Sequence, residues 1–137
     1  MAITKISVPL KEALGYYNEG TTVPANTNTA GTNKLQTGQT NGQLEITLSA
    51  ATAIALADTK VVTLTVTSSA TEGGTYTEVG SATYTASGAT AFAVSDVITS
   101  IVIPTNDKVL EWTAVNVATD DAAATGTYDV FVRYVAS

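Results

Sequence analysis

From Gln43 onward the chain alternates apolar and polar residues with a period of two, the spacing that turns one face of a β-strand to a core and the other to water. Leu44, Ile46 and Leu48 alternate with Glu45 and Thr47. Val62, Leu64 and Val66 alternate with Thr63, Thr65 and Thr67, which predicts a strand with one dry face and one threonine face. Ser69-Ala70-Thr71-Glu72-Gly73-Gly74 predicts a turn into a further strand at Thr75 to Val79. Shorter strands are predicted at Ala82 to Thr85, Ala89 to Val94 and Ser100 to Ile103, the last closed by Pro104-Thr105-Asn106-Asp107. Lys108 to Val117 is the longest candidate, with Leu110, Trp112 and Ala114 assigned to its inner face. Thr127 to Val135 closes the chain, with Tyr128, Val130, Val132 and Tyr134 inward. The alanine-rich stretch Ser49 to Thr59 reads as a loop.

Residues 1–42 lack this alternation. Ser7 to Gly20 accommodates a helical turn or two around Lys11, Glu12, Ala13 and Leu14, stopped at Gly15. Thr21 to Asn33 is polar and turn-rich, which predicts an extended arm or long loop. The expected organisation is therefore an N-terminal arm over 1–42 and an all-β, antiparallel β-sandwich over 43–137, of jelly-roll or immunoglobulin-like type. Tyr16 and Tyr17 stand beside the arm and need a surface to bury them, while Val23 and Pro24 lie within it. On the last strand Phe131 faces away from Tyr128, Val130 and Val132, next to Arg133. Val115 and Val117 share a face with Glu111 rather than with Trp112. Apolar residues on the outer face of a sheet mark a covering layer or a partner. Tyr16, Tyr17, Val23, Pro24, Val115, Val117, Phe131 and Arg133 are thus the candidate interface residues, the alternative being that the arm folds back over them.

Composition narrows the chemistry. In 137 residues there is no histidine and no cysteine, so disulfides, Ser–His–Asp and Cys–His arrangements are excluded, and no Ser-x-x-Lys spacing occurs. The carboxylates Glu45 and Glu111 occupy polar alternation positions, and Asp96, Asp107, Asp120 and Asp121 fall in turns that favour aspartate. The Asp120-Asp121 pair lacks the spaced acidic pattern of a dedicated calcium loop and reads as an exposed acidic turn. Gly73-Gly74 is a hairpin glycine pair and not a phosphate cradle. The expectation is a protein that is not an enzyme and holds no cofactor. Six basic residues, scattered, against twelve acidic ones give a net charge of −6, unsuited to a phosphate backbone, so no nucleic-acid partner is expected. No 18-residue apolar run or secretory apolar region occurs, so no membrane partner and synthesis in a cytoplasm are expected.

Three segments together resemble a known family. They are Lys60 to Ser69 followed by Gly73-Gly74-Thr75-Tyr76-Thr77-Glu78-Val79, Ile103-Pro104-Thr105-Asn106-Asp107-Lys108 entering Val109-Leu110-Glu111-Trp112, and Gly126 to Val132. With the threonine-rich stretch Thr21 to Thr27 before Gly42-Gln43-Leu44-Glu45, they are similar to the capsid cement, or head decoration, proteins of tailed phages. The resemblance implies a jelly-roll structural subunit of the virion. Such a subunit binds the outer surface of the major capsid protein lattice as a small homo-oligomer, a dimer or trimer, and stabilises the head. The alternative expectation is a carbohydrate- or receptor-binding sandwich of head-fibre or adhesin type, with Tyr76 and Tyr84 as its exposed aromatics.

Overall fold

The strand Val61 to Ser69 shows how the patterning becomes structure: Val62, Leu64 and Val66 are buried, and the threonines between them are half-exposed. The computed structural model describes residues 15–37, 43–104, 109 and 111–135. The helical turn expected around Lys11 and the inward placements of Leu110 and the Tyr134 side chain lie outside the described residues. Among the described residues the elements are β1 (Gly15–Thr22), β2 (Asn28–Ala30), β3 (Leu35–Gln36), β4 (Gln43–Ala50), β5 (Ile54–Leu56), β6 (Val61–Ser69), β7 (Thr77–Thr85), β8 (Thr90–Phe92), β9 (Val97–Pro104), β10 (Trp112–Thr119) and β11 (Thr127–Val135).

The protein is all-β, an antiparallel sandwich. One sheet runs β1-β11-β4-β9; the other runs β2-β10-β6-β7, with β3 also on β10, and β5 and β8 form a small ribbon. The pairing is nested. About the turn between β6 and β7, β6 pairs with β7, β5 with β8, β4 with β9, β2 and β3 with β10, and β1 with β11. Two further pairings, β11 with β4 and β10 with β6, roll this long double ribbon into two layers. Most contacts are therefore non-local, the kind of topology associated with slow folding.

Between the layers lie Leu44, Ile46 and Leu48 of β4, Val130 and Val132 of β11, Leu64 and Val66 of β6, and Val115 and Val117 of β10, each 4 % exposed or less. Each buried side chain of this kind contributes about 1.5–3 kcal/mol. At the corner where the two sheets end, β9 packs on β7 by side chains: Ile101 and Ile103 approach Gly80 so closely that a Cβ there would lie 2.8 Å from Ile101 Cδ1.

Three expectations change. Residues 15–37, assigned to the arm, are strands and connections of the sandwich: β1 is an edge of the first sheet, and β2 and β3 pair with β10. Their polar residues gave no alternation because edge strands are short or bulged; β1 shifts register at Tyr16/Asn18 and again at Asn18/Thr21. The expected loop Ser49 to Thr59 holds the end of β4 and all of β5, whose Ile54 and Leu56 are 2 % exposed. Finally, β10 presents the opposite face from the one expected. Thr113, Val115, Val117 and Thr119 point inward, while Trp112 and Ala114 are half-exposed on the outer side. The period was legible, but the largest residue was not the buried one.

Gly126 sits where the last loop enters β11, with φ +105, and a Cβ there would lie 2.3 Å from the Ala53 carbonyl oxygen. No other residue fits without moving the backbone. Urea unfolding of Gly126→Ala is expected to show a loss of about 1–3 kcal/mol from backbone strain. Leu64→Ala, which empties the centre of the core, is expected to cost about 2–5 kcal/mol. If Gly126→Ala matched the parent protein in midpoint and slope, the strained geometry of this loop would be wrong.

Candidate interaction surface

The eight candidate residues separate into two groups. Tyr17 is fully buried, and its hydroxyl bonds the Thr113 hydroxyl at 2.7 Å across the two sheets. Thr113 in turn meets the Thr37 hydroxyl at 2.6 Å, also buried. This hydroxyl relay explains how a threonine occupies an inward position with no exposure: buried polar atoms are tolerated when hydrogen-bonded. Val23 is in the core, and Pro24 is buried with its carbonyl accepting the Thr119 hydroxyl. Val115 and Val117 are core residues of β10. Tyr17, Val23, Pro24, Val115 and Val117 are therefore structural, and their assignment to an interface is corrected. Val115 and Val117 misled because Trp112 and Ala114 stand on the opposite face, so both sides of this strand carry apolar residues and neither is marked as the wet one.

Tyr16, Phe131 and Arg133 do come together, on the outer face of the first sheet. Strand register places Tyr16, Phe131, Thr47 and Ser100 in one row across β1, β11, β4 and β9. The next row is Arg133, Glu45 and Val102, and the row on the other side is Asp129, Ser49 and Val97. The Tyr16 and Phe131 rings lie 5.7 Å apart at 48°. Burial first, then the charges of Asp129 and Glu19, push the Tyr16 phenol above its ordinary pKa. Arg133 Nε donates to Glu45 Oε1, and both side chains keep contact with water. An exposed pair of this kind contributes no more than about 1 kcal/mol to stability. Between these rows lies a shallow depression of about 170 Å³ lined by Glu45, Thr47, Val97, Ser100, Phe131 and Arg133. Phe131 forms part of its floor, only 4 % exposed. Val97 and Val102, 57 % and 45 % exposed, border this face and were not singled out from the sequence. The irregular register between Leu48 and Ser49 brings Val97 to the outer side, and a bulge of that kind leaves no trace in the pattern.

The aspartates hold loops and, at Gly20, the irregular part of β1. Asp120 Oδ1 accepts the Val61 amide, Asp58 Oδ1 the Gly88 amide, Asp96 Oδ2 the Ala93 amide and Asp129 Oδ1 the Gly20 amide. Asp121 accepts two, from Ala57 at 2.9 Å and Ala123 at 2.8 Å, and joins the β5–β6 loop to the β10–β11 loop. It is 3 % exposed, not the exposed turn residue expected. Those amides, with Lys60 nearby, hold its carboxyl below the ordinary value. Among the described residues no group of three or more acidic side chains is placed to hold a metal ion.

The aromatics of the alternative reading are engaged. Tyr84 packs edge-on against Phe92 at 5.2 Å. Tyr76 donates its hydroxyl to the Glu72 carbonyl, and Lys34 Nζ lies 4.9 Å from its ring centre. Trp112 is half-exposed on the outer face of the second sheet beside Gln36, whose amide donates to Glu111.

No protein-family model matches the chain, and no curated protein matches it. The function therefore rests on the geometry.

Two measurements check this description. Tyr17→Phe is expected to destabilise the fold by about 1–2 kcal/mol, because it removes one member of a buried relay and leaves Thr113 with its bond to Thr37. The second is the pH dependence of stability. The Asp121 contribution is complete above the ordinary carboxylate pKa of 3.8 and is lost as pH falls through its depressed native value. At the alkaline end, burial pushes the Tyr128 phenol up to about 12, opposed only by its contact with Thr29. The Tyr128 contribution is complete below pH 10 and disappears as pH rises from 10 toward 12. Asp121→Asn is expected to flatten the acid limb and Tyr128→Phe the alkaline limb, each leaving the other unchanged.

Proposed function

We propose that the protein is a structural component of a tailed-phage virion, a capsid decoration protein. It binds the outer face of the major capsid protein lattice through the outer face of its first sheet and reinforces the head. The observation that carries this reading is the patch formed by Tyr16, Phe131, Arg133 and Glu45: an aromatic pair beside a cation and an anion, set on the strands of a rigid sheet. Buried aromatics and arginine are the residue types that dominate protein–protein contacts. The distribution of the strands, β1, β11, β4 and β9 in one layer and β2, β10, β6 and β7 in the other, supports a jelly-roll reading of the sandwich.

The described carboxylates fit a scaffold. Five aspartates accept backbone amides, which is what a scaffold asks of its acidic side chains and supports this reading. A shell with many copies of one binding surface does not need a strong individual site, because occupancy rises with ligand concentration by mass action.

Trp112 favours a second reading, a glycan-binding module. A half-exposed indole flanked by the Gln36 amide and the Glu111 carboxylate offers a stacking surface with a donor and an acceptor at its rim.

Quantitative mass spectrometry of purified virions separates the two. Decoration predicts this protein in an amount of the same order as the major capsid protein. Shells stripped of it should take up the added protein again, and Phe131→Ala or Arg133→Glu should weaken that uptake by about tenfold or more. Trp112→Ala is expected to leave uptake unchanged. Absence from virions, or loss of glycan binding in Trp112→Ala alone, would replace the first reading with the second.

A further inference from the structure

Between Asn18, which pairs with Val130, and Thr21, which pairs with Tyr128, β1 carries Glu19 and Gly20 where β11 carries Asp129 alone. Two residues opposite one make a β-bulge, a feature that re-aims side chains beside functional surfaces. Gly20 takes a left-handed φ of +60, and its amide donates to Asp129 Oδ1 at 2.8 Å. The bulge thereby fixes the Asp129 carboxylate and places Glu19, which is exposed, opposite it.

Like charges opposite one another destabilise a sheet. Among the described residues no cation pairs with either carboxylate: Arg133 is held by Glu45, Lys34 lies over the Tyr76 ring, and Lys60 stands near Asp121. An aromatic ring shares the corner. Tyr16, half-buried, lies in the adjoining row of the same outer face, tilted against Phe131. Burial first, and then the charges of Asp129 and Glu19, raise its phenol, so the field of both carboxylates reaches it. On the other side of Asp129, its cross-strand neighbour Ser49 is 2 % exposed, and the Ser49 hydroxyl has no hydrogen-bond partner among the described residues. Two carboxylates, a hydroxyl oxygen and the negative face of a ring all favour the same kind of group, a cation that carries N–H donors.

We propose that this corner is the seat of an arginine side chain of a protein partner, whose guanidinium lies against the Tyr16 ring and is held by the carboxylates of Glu19 and Asp129. The proposal rests on the reading of this face as the shell contact, in which case the shell protein supplies the arginine. Charge complementarity selects the occupant. A cation between Glu19 and Asp129 relieves their repulsion, whereas an anionic or purely apolar segment docked here would cover both carboxylates without a counter-charge. Guanidinium suits the corner better than ammonium, because it is planar, stacks on aromatic faces and presents five donors. Arg133, already bonded to Glu45 in the row beyond Phe131, leaves this seat to a residue from outside.

A titration without capsid reads the seat directly. The blocked peptide acetyl-Gly-Arg-Gly-amide is added to the isotope-labelled full chain at low ionic strength and followed by NMR. The citrulline peptide, of the same shape and uncharged, is the comparison. The arginine peptide is expected to shift the amides of Tyr16, Gly20, Asp129 and Phe131 saturably, and the citrulline peptide to leave them in place. Glu19→Gln should weaken binding about threefold and Tyr16→Leu at least as much, while Tyr16→Phe, which keeps the ring, binds as the parent does. Glu78→Gln, on the edge of the other sheet, should change nothing, and salt at about 1 M should abolish the shifts. Thermal melts establish that each variant is folded. Equal shifts with both peptides, shifts confined to other parts of the surface, or binding indifferent to Glu19→Gln would overturn the proposal. On stripped shells Glu19→Lys should cut uptake about tenfold, and uptake indifferent to it would likewise overturn the proposal. A positive titration with shells that do not take up even the parent protein would sink the shell reading alone.

Discussion

The contact between the inner faces of β4 with β11 and of β6 with β10 is what the rest of the molecule depends on. These central strands each carry neighbours on both sides, and their alternate residues meet across the interior with almost no exposure. A sheet can bury one face only if another layer covers it, so the two central pairs must form together. The outer strands complete each sheet on either side. β1 and β9 flank the first pair, and β2 and β7 flank the second. In the nested pairing β1 and β11 are joined across nearly the whole described chain. The hydroxyls of Tyr17, Thr113 and Thr37 bind one end of the sandwich from sheet to sheet.

Polar chemistry in this protein is spent largely on shape. Aspartates that in another setting would be candidates for catalysis or ion binding accept backbone amides, four of them in loops and Asp129 at Gly20 in the irregular part of β1. The outer faces carry the aromatic and ion-pair patch of the first sheet and the Trp112 corner of the second.

The candidate patch was only partly legible. Phe131 and Arg133 could be found because β11 has one unbroken apolar face, so a large apolar residue on the other face stands out. Glu45 was visible as a polar alternation position, but its pairing with Arg133 follows from register between strands far apart in the chain. Tyr17, only one position from Tyr16, went to the core because β1 lies on a sheet edge with its second side chain turned inward. Asp121 looked like any acidic turn residue until the loop carrying Ala57 came beside it.

By itself the sequence determined that the chain is all-β, where β4, β6 and β11 run, and which of their residues face inward. A period of two with one wholly apolar side allows no other solution. Tertiary structure alone decided the face of β10 and the incorporation of residues 15–37. The reason is that periodicity states which residues share a face, while the choice of the buried face belongs to the opposite sheet. In β10 both faces carry apolar residues, so no local signal separates them. Register beside Val66 and Leu64 of β6 puts Val115 and Val117, and not Trp112, on the side that the first sheet covers.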